Sequence, residues 1–397
     1  NLVEKGIKVT LVERLDQLLN TFDYDMACFA HAKLREKGVD LLLGSNVTGF
    51  KEEKGQITTI IDDAAGISAD MVLLAIGVAP ENDLAVKAGL ETGVRGTIRV
   101  NDRMETSVPD IYAVGDAVQV KNFVTGEDAA IALAGPANKQ GRIAADNICG
   151  KDSHYRASLG SSVLKIFDLT AASTGLTEKA AKAAGLNFES VVLAPSSHAG
   201  YYPGAKVMTF KVVYERGTRR ILGGQIIGSE GVDKRIDVLA TAIWAGVKAD
   251  RLKELDLSYA PPFSSAKDPV NMAGFMIENI EDGLVKQFHW YDLPNLPEDG
   301  SVTYLDVRTP GECSKGKIDD RFINIPVDEL RDRLGELDPS KSVYVNCQSA
   351  LRSYIACRIL SQNGFDCYNF SGGYRFFAAI FSDKKIRDQA FPCGMEK

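Results

Sequence analysis

In the stretch "VNCQSALRS", Cys347 follows an apolar, β-prone run and precedes a helix-like one, and Arg352 stands five residues further on. A thiol where a strand turns into a helix sits among backbone N–H groups at the positive end of the helix dipole. It ionises more easily there, and Arg352 adds a cation near the same point. The spacing describes an anion-stabilising cradle around a nucleophilic sulfur, fit for sulfur, phosphate or arsenate chemistry. A buried cysteine packed as a small hydrophobe fits the same pattern.

A second chemical feature is the Gly115-Asp116 pair in "TSVPDIYAVGDAVQV". Short strands ending there set a carboxylate at the carboxyl edge of a sheet, where ligands bind in α/β folds. Such a carboxylate can accept hydrogen bonds from a polyol chain. An ordinary turn aspartate is the alternative reading.

The elements that must position these residues fall into successive blocks. Residues 1–79 read as the back part of an α/β domain. Its strand "GIKVTLVE" is followed by the helical "FDYDMACFAHAKLREKG" and by β-like segments. The apolar "ADMVLLAIG" reads as a strand covered on both faces. Residues 80–155 give short strands and then the helix "IALAGPANKQGRIAADNICG". Residues 156–285 mix strands with two helical runs, the pattern of an α+β domain. There, "VLATAIWAGV" aligns Leu239, Ile243 and Val247 on one helix face, which serves either a core or a subunit interface. Residues 286–300 hold two prolines and an acidic end, and read as a linker. Residues 301–397 start a fresh α/β pattern.

The totals exclude several classes. The chain has 397 residues, a net charge of −7, 45% hydrophobic and 25% charged residues. Nothing in that balance favours a nucleic-acid partner. The longest apolar stretch is too short to span a bilayer. Seven scattered cysteines without C-x-x-C, and four histidines, favour neither a disulfide framework nor a metal site. The expected compartment is the reducing cytoplasm. The opening "NLVEKG" reads like the end of a helix, so the chain is expected to be a piece of a longer protein.

The segment "YLDVRTPGECSKGKIDDRFINIPVDELRDRL" and the Cys347 stretch, through "NFSGGYRFF", resemble a rhodanese-like domain. The resemblance rests on Asp306-Val307-Arg308, the Asn-Ile-Pro strand end, the six-residue loop from Cys347 to Arg352, and Gly372-Gly373. It implies that Cys347 carries a sulfane sulfur as a persulfide. Two departures stand out. Ala350 occupies the place of a common loop glycine, and Lys317 that of a common histidine. Cys357 and Cys367 read as core residues.

The front of the chain resembles the pyridine nucleotide–disulfide oxidoreductases. "TSVPDIYAVGDAVQV" is similar to their second flavin-binding motif, which implies that Gly115 and Asp116 hold the ribityl and phosphate part of FAD. "KVTLVER" resembles the second strand of the NAD(P)-binding domain, with Glu13 at the adenosine ribose. Arg14 beside it leaves NADH and NADPH both open. Gly77 falls at the turn linking the two nucleotide domains. "LAGPANKQGRIAADNI" resembles the helix that approaches the flavin ring, placing Ala134, Pro136 and Asn138 nearby. Residues 156–285 resemble the dimerisation domain. Within it "SHAGYYPGAK" and "DLSYAPPFSSAKDPVNMAG" resemble the coenzyme A-disulfide reductase and NADH oxidase branch. That implies a homodimer in which Tyr201 and Tyr259, with Tyr202 beside them, reach the partner's active site. Interface packing explains the same tyrosines.

No G-x-G-x-x-G occurs in the chain, and no cysteine stands in the family's flavin-facing context. The expected fold is therefore α/β: a partial FAD/NAD(P)-binding flavoprotein, an α+β dimerisation domain and a rhodanese-like domain. The expected function is FAD-dependent, NAD(P)H-driven reduction of coenzyme A disulfide, coenzyme A persulfide or polysulfide, with Cys347 carrying sulfur. A sulfur-carrier module on a non-catalytic dimerisation scaffold is the alternative.

Overall fold

The structure, a computed structural model, describes residues 1–53, 55–62 and 66–389. The chain forms two compact units, one of residues 1–70 with 163–397 and one of residues 71–162. Cys393 lies outside the described residues.

The first unit opens with a β-α-β step. Strand β1 (Thr10–Glu13) pairs in parallel with β2 (Asp40–Leu43), Glu13 facing Leu43, and helix α1 (Tyr24–Glu36) crosses between them. Gly38, in the left-handed region at φ +84, ends the helix where the sequence placed its stop. Strands β3 (Val47–Glu53), β4 (Gln56–Ile61) and β5 (Ile67–Ala69) then form an antiparallel sheet.

In the second unit the expected buried strand over "ADMVLLAIG" is not found. Over residues 70–77 no strand is formed, and Leu73, Leu74 and Ile76 are 76%, 64% and 90% exposed. A run this apolar needs ladder partners and two covered faces, and the described residues supply neither. The unit contains α2 (Asp83–Lys87), a single turn of 3-10 helix at Gly115–Ala117, the short pair β6 (Val120–Lys121) and β7 (Asp128–Ala129), and α3 (Ala134–Ile148). Met104, Val118, Val120, Ala144 and Tyr155 form its core.

The chain then builds an antiparallel sheet from β8 (Ser162–Ile166), β9 (Leu169–Gly175), β10 (Phe188–Leu193), β11 (Thr209–Glu215) and β12 (Ile221–Gly228), in the order β10-β11-β12-β9-β8. Helix α4 (Glu178–Ala183) leads into β10, and α5 (Val232–Trp244) and α6 (Pro269–Glu281) follow the sheet. Leu239 and Ile243 of α5 are buried. A Cβ on Gly224 of β12 would come 2.6 Å from Leu239 Cδ1, so the glycine is what lets helix and sheet approach. The apolar face of α5 thus serves the core, and Val247 lies beyond the helix. Buried Arg235 of α5 pairs with Asp268 at 3.1 Å.

The last sheet is parallel. It contains β13 (Lys286–Phe288), β14 (Thr303–Asp306), β15 (Phe322–Asn324), β16 (Val343–Asn346) and β17 (Cys367–Phe370), in the order β13-β17-β16-β14-β15. Helices α7 (Pro310–Cys313), α8 (Leu351–Gln362) and α9 (Gly373–Gln389) accompany it. The stretch read as a linker belongs to this body. Its first residues are β13, paired with β17, and Leu293 and Leu296 pack in the core with Phe288 and Phe370. The prolines mark turns over a packed surface rather than a free tether.

Candidate functional site

Strand β16 ends at Asn346 and α8 starts at Leu351, so Cys347 lies on the turn between them, as its sequence context requires. Cys347 is fully buried. Ala350, the residue before α8, is left-handed at φ +66. The turn therefore adopts the conformation a glycine would favour, with an alanine in it.

Helix α9 clamps the loop from one side. The N–H groups of Tyr374 and Arg375, which the helix start leaves without intrahelical partners, donate to Cys347 O at 2.7 Å and Gln348 O at 3.1 Å. Gly373 makes this approach possible. A Cβ there would lie 2.7 Å from Cys347 O and 2.8 Å from the nitrogens of Ser349 and Ala350. In trans peptides the N–H opposes the C=O. With both carbonyls turned to α9, the N–H groups of Gln348 and Ser349 face away from it, available to an anionic sulfur.

One side chain donates to the sulfur directly. Buried Ser353, in the first turn of α8, places its hydroxyl 3.2 Å from Cys347 Sγ. The sequence carried this signal, since Ser353 follows Arg352 and faces back along the helix toward the loop. It was not singled out there.

Arg352 is held differently from the expectation. Its guanidinium donates twice to Glu312, at 2.8 and 2.6 Å. Those bonds hold the Glu312 carboxyl down at about 2, although partial burial pushes it up. Glu312 also closes a capping box with Thr309 at the start of α7. Next to it, buried Arg308 forms a forked pair with Asp306, its Nη2 2.7 Å from Oδ2, and stacks over the Tyr374 ring at 4.0 Å. Asn346 donates to the same Asp306 carboxylate at 2.9 Å. Lys317, standing where a histidine is common, pairs with Asp320 at 2.5 Å and is half exposed. Cys357 and Cys367 are buried, with the Cys367 thiol donating to Cys357 O at 3.3 Å.

Of the residues expected at the nucleotide sites, Glu13 ends β1 and accepts from the Leu15 N–H at 2.9 Å. Gly77 and Gly115 are left-handed, at φ +92 and +87. The Gly115 N–H donates to buried Gln140 of α3 at 2.8 Å, which fixes the Gly115-Asp116 turn against that helix and leaves the Asp116 carboxylate exposed. Ala134 and Pro136 form the first turn of α3, whose start has no side-chain cap, and Asn138 donates back to Ala134 O at 2.9 Å. Tyr201 and Tyr259 meet hydroxyl to hydroxyl at 2.7 Å, while the Tyr202 ring lies edge-on to His198.

The fold also makes a cluster the sequence could not show. Cys28, His31 and Asp383 bring their ligand atoms within 4.8 Å of one another, all buried. Leu18 N–H donates to His31 Nε2 at 3.0 Å, so the ring proton sits on Nδ1 and faces Asp383 Oδ1 at 3.2 Å. Asp383 also accepts from Tyr24 at 2.8 Å and from Arg35. Burial raises Asp383, but these partners bring it down to about 2. Burial also drives the Cys28 thiol far up. A protonated Nδ1 and a neutral thiol are poor metal ligands. The cluster is a docking knot between α1 and α9.

A family model for pyridine nucleotide-disulphide oxidoreductases matches residues 1–141, one for their dimerisation domain residues 161–269, and one for the rhodanese-like domain residues 290–379. Among solved structures, the chain is similar to reduced CoADR-RHD of Bacillus anthracis, at 45% identity and a TM-score of 0.92 over 96% of this chain and 68% of that one. It is also similar to an NAD-dependent persulfide reductase from A. fulgidus, at 37% identity and a TM-score of 0.87 over 94% and 68% of the two chains. The NAD(P)H sulfur oxidoreductase (CoA-dependent) of Pyrococcus abyssi is 36% identical over 68% of this chain, a match that spans 60% of that relative's length.

Proposed function

The chain belongs to the pyridine nucleotide–disulfide oxidoreductases and carries their dimerisation domain followed by a rhodanese-like domain, and from that premise we propose that the whole protein is an FAD-dependent NAD(P)H reductase of coenzyme A disulfide, coenzyme A persulfide or polysulfide. The observation that carries this reading is the buried Cys347 loop, with its hydroxyl donor and its outward N–H groups, in the same chain as a dimerising oxidoreductase. Relatives are named for coenzyme A-dependent sulfur reduction and persulfide reduction.

The residues present fit part of a flavin site. Asp116 offers an exposed carboxylate on a turn fixed by Gln140, suited to ribityl hydroxyls, and α3 presents an uncapped, electropositive first turn at Ala134 and Pro136. When bound, FAD supplies two-electron storage between a nicotinamide hydride and a sulfur–sulfur bond. Glu13 takes the adenosine ribose of the pyridine nucleotide. Tyr201 and Tyr259 act as paired proton donors toward the site of the partner in a homodimer. Cys347 holds the sulfane sulfur, with Ser353 and the loop N–H groups carrying its charge. One chain holding both sulfur sites keeps the passed intermediate at a high local concentration.

The test uses the full-length protein. NAD(P)H oxidation is followed with coenzyme A disulfide, coenzyme A persulfide and polysulfide as acceptors. Asp116→Ala is expected to release FAD on gel filtration, and Cys347→Ala to abolish sulfur loading while leaving flavin reduction by NAD(P)H intact. A colourless protein that still loads Cys347 would replace this reading with that of a sulfur carrier on a dimerisation scaffold.

A further inference from the structure

The reading of Cys347 as a sulfur carrier leaves its donor open, and the charge arrangement around the loop narrows it. We propose that Cys347 takes its sulfur from a protonated persulfide or polysulfide, R–S–SH, and discriminates against thiosulfate.

Among the described residues, Arg308 and Arg352 beside the loop are each matched by a carboxylate. Arg352 is bound twice by Glu312, which is itself locked by the Thr309 N–H and hydroxyl, both at 3.0 Å. Arg308 is forked onto Asp306 and donates further to Gly316 O at 2.9 Å. These two arginines and two carboxylates sum to zero charge. Arg375 reaches the loop only through its backbone. Its guanidinium turns to Thr209 at 3.5 Å and to the Phe29 ring at 5.6 Å. The loop side chains Gln348, Ser349 and Ala350 carry no charge. The buried Asn346 Oδ1, next to the cysteine, lacks a hydrogen-bond partner and is an acceptor.

Burial sharpens the choice. Cys347 is fully enclosed, so the donor's sulfane sulfur must shed water to reach it. The Born cost of desolvation rises with the square of the charge, so a dianion costs about four times as much as a monoanion. A neutral hydropersulfide costs least. The site stabilises the attacking thiolate with a hydroxyl at 3.2 Å and backbone N–H groups, which suffice for one charge.

The step is balanced without an outside oxidant. The Cys347 thiolate attacks the outer sulfur of R–S–SH, a new S–S bond forms to Cys347, and the donor's own S–S bond breaks. The bonding pair leaves on RS⁻, the proton stays on the transferred sulfur, and the product is Cys347–S–SH. With thiosulfate the same attack brings a thiolate against a dianion and expels sulfite, three negative charges in a net-neutral pocket.

The full-length protein is mixed in single turnover with thiosulfate or with a small-molecule hydropersulfide at equal concentration. The gain of one sulfur atom on the Cys347 peptide is followed by mass spectrometry. Loading from the hydropersulfide is expected to be at least about tenfold faster. Glu312→Gln keeps a side chain able to close the capping box and removes the charge that neutralises Arg352. It is expected to raise the ratio of thiosulfate to hydropersulfide loading severalfold. In the unmodified protein, added salt is expected not to slow thiosulfate loading, because Arg308 and Arg352 beside the loop are already paired with carboxylates. Equal rates for the two donors, an unmoved ratio in the variant, or steep slowing by salt would each overturn the proposal. If neither donor loads Cys347, the sulfur-carrier reading falls, and the proposal with it.

Discussion

Tyr201 and Tyr259, 58 positions apart in the chain, share a hydrogen bond of 2.7 Å between their hydroxyls while their side chains remain 77% and 45% exposed. The bond to Tyr201 holds the Tyr259 hydroxyl above the usual phenol range, so Tyr259 keeps its proton at neutral pH. Two ordered donors on an open surface are poorly explained by packing within one subunit. Tyr201→Phe and Tyr259→Phe are each expected to lower reductase turnover of the full-length protein by about tenfold or more. Thermal stability should hardly change, as is usual for exposed substitutions. Mixing the double variant with a subunit lacking the flavin-facing cysteine should restore part of the activity. Full turnover in both single variants would remove the tyrosines from the chemistry.

Ser353 gives a separate prediction because its hydroxyl touches the Cys347 sulfur. A hydrogen bond to a charged group contributes about 1.5–3 kcal/mol. Ser353→Ala is therefore expected to slow alkylation of Cys347 by iodoacetamide at neutral pH by about tenfold or more, with Ser353→Thr recovering most of the rate. Peptide mapping checks the site. Equal rates in wild type and Ser353→Ala would leave the loop N–H groups as the sole stabilisers.

Ala350 holds a left-handed conformation at φ +66. An L-residue with a Cβ loses roughly 1–2 kcal/mol there, and a glycine gives back part of that gain through its freer unfolded chain. Ala350→Gly is expected to stabilise the protein by about 0.5–1 kcal/mol in urea unfolding. A lower midpoint in the variant would show that the methyl group contributes packing worth more than the strain.

Asp383 supplies the pH dependence. Its carboxyl is held at about 2 in the fold by His31, Arg35 and Tyr24 against the raising effect of burial, below an unfolded value of about 3.9. A depressed acid stabilises the fold above the unfolded value, and that contribution is lost as pH falls from about 4 toward 2. Asp383→Asn should remove about 2–3 kcal/mol of stability at neutral pH, with the difference from wild type shrinking across that acid window. Melting curves at stepped pH measure it. A difference that stays constant with pH would mean that the ion pairs contribute little.

What the sequence showed was mostly local. The Cys347 turn was legible because a strand, a loop of fixed length and a helix follow one another, and Gly372-Gly373 marked the backbone that presses on it. The partner of Arg352 was not legible, because Glu312 stands forty positions earlier and nothing local links them. The α5 pattern showed that Leu239 and Ile243 needed cover, but a periodicity cannot name the covering surface, which proved to be β12. Strand β13 has three residues between turn-forming prolines and a helix end, too few for an alternation to register. The apolar run at Leu73–Ile76 pointed to a buried strand, and burial depends on neighbours the described residues do not provide.

Helix α9 presses its first turn on the Cys347 loop, while Phe376 and Ile380 further along it share a core with Phe22 and with Met26 of α1. For protein engineers this limits modularity. Excised as a cassette after β12 and α6, the rhodanese-like domain would carry two bare aromatic and aliphatic side chains and an orphaned Asp383 on its last helix. Transplanting it into another scaffold calls for recoding that helix face with polar residues, while Gly373, Tyr374 and Arg375 are kept as the grip on the loop.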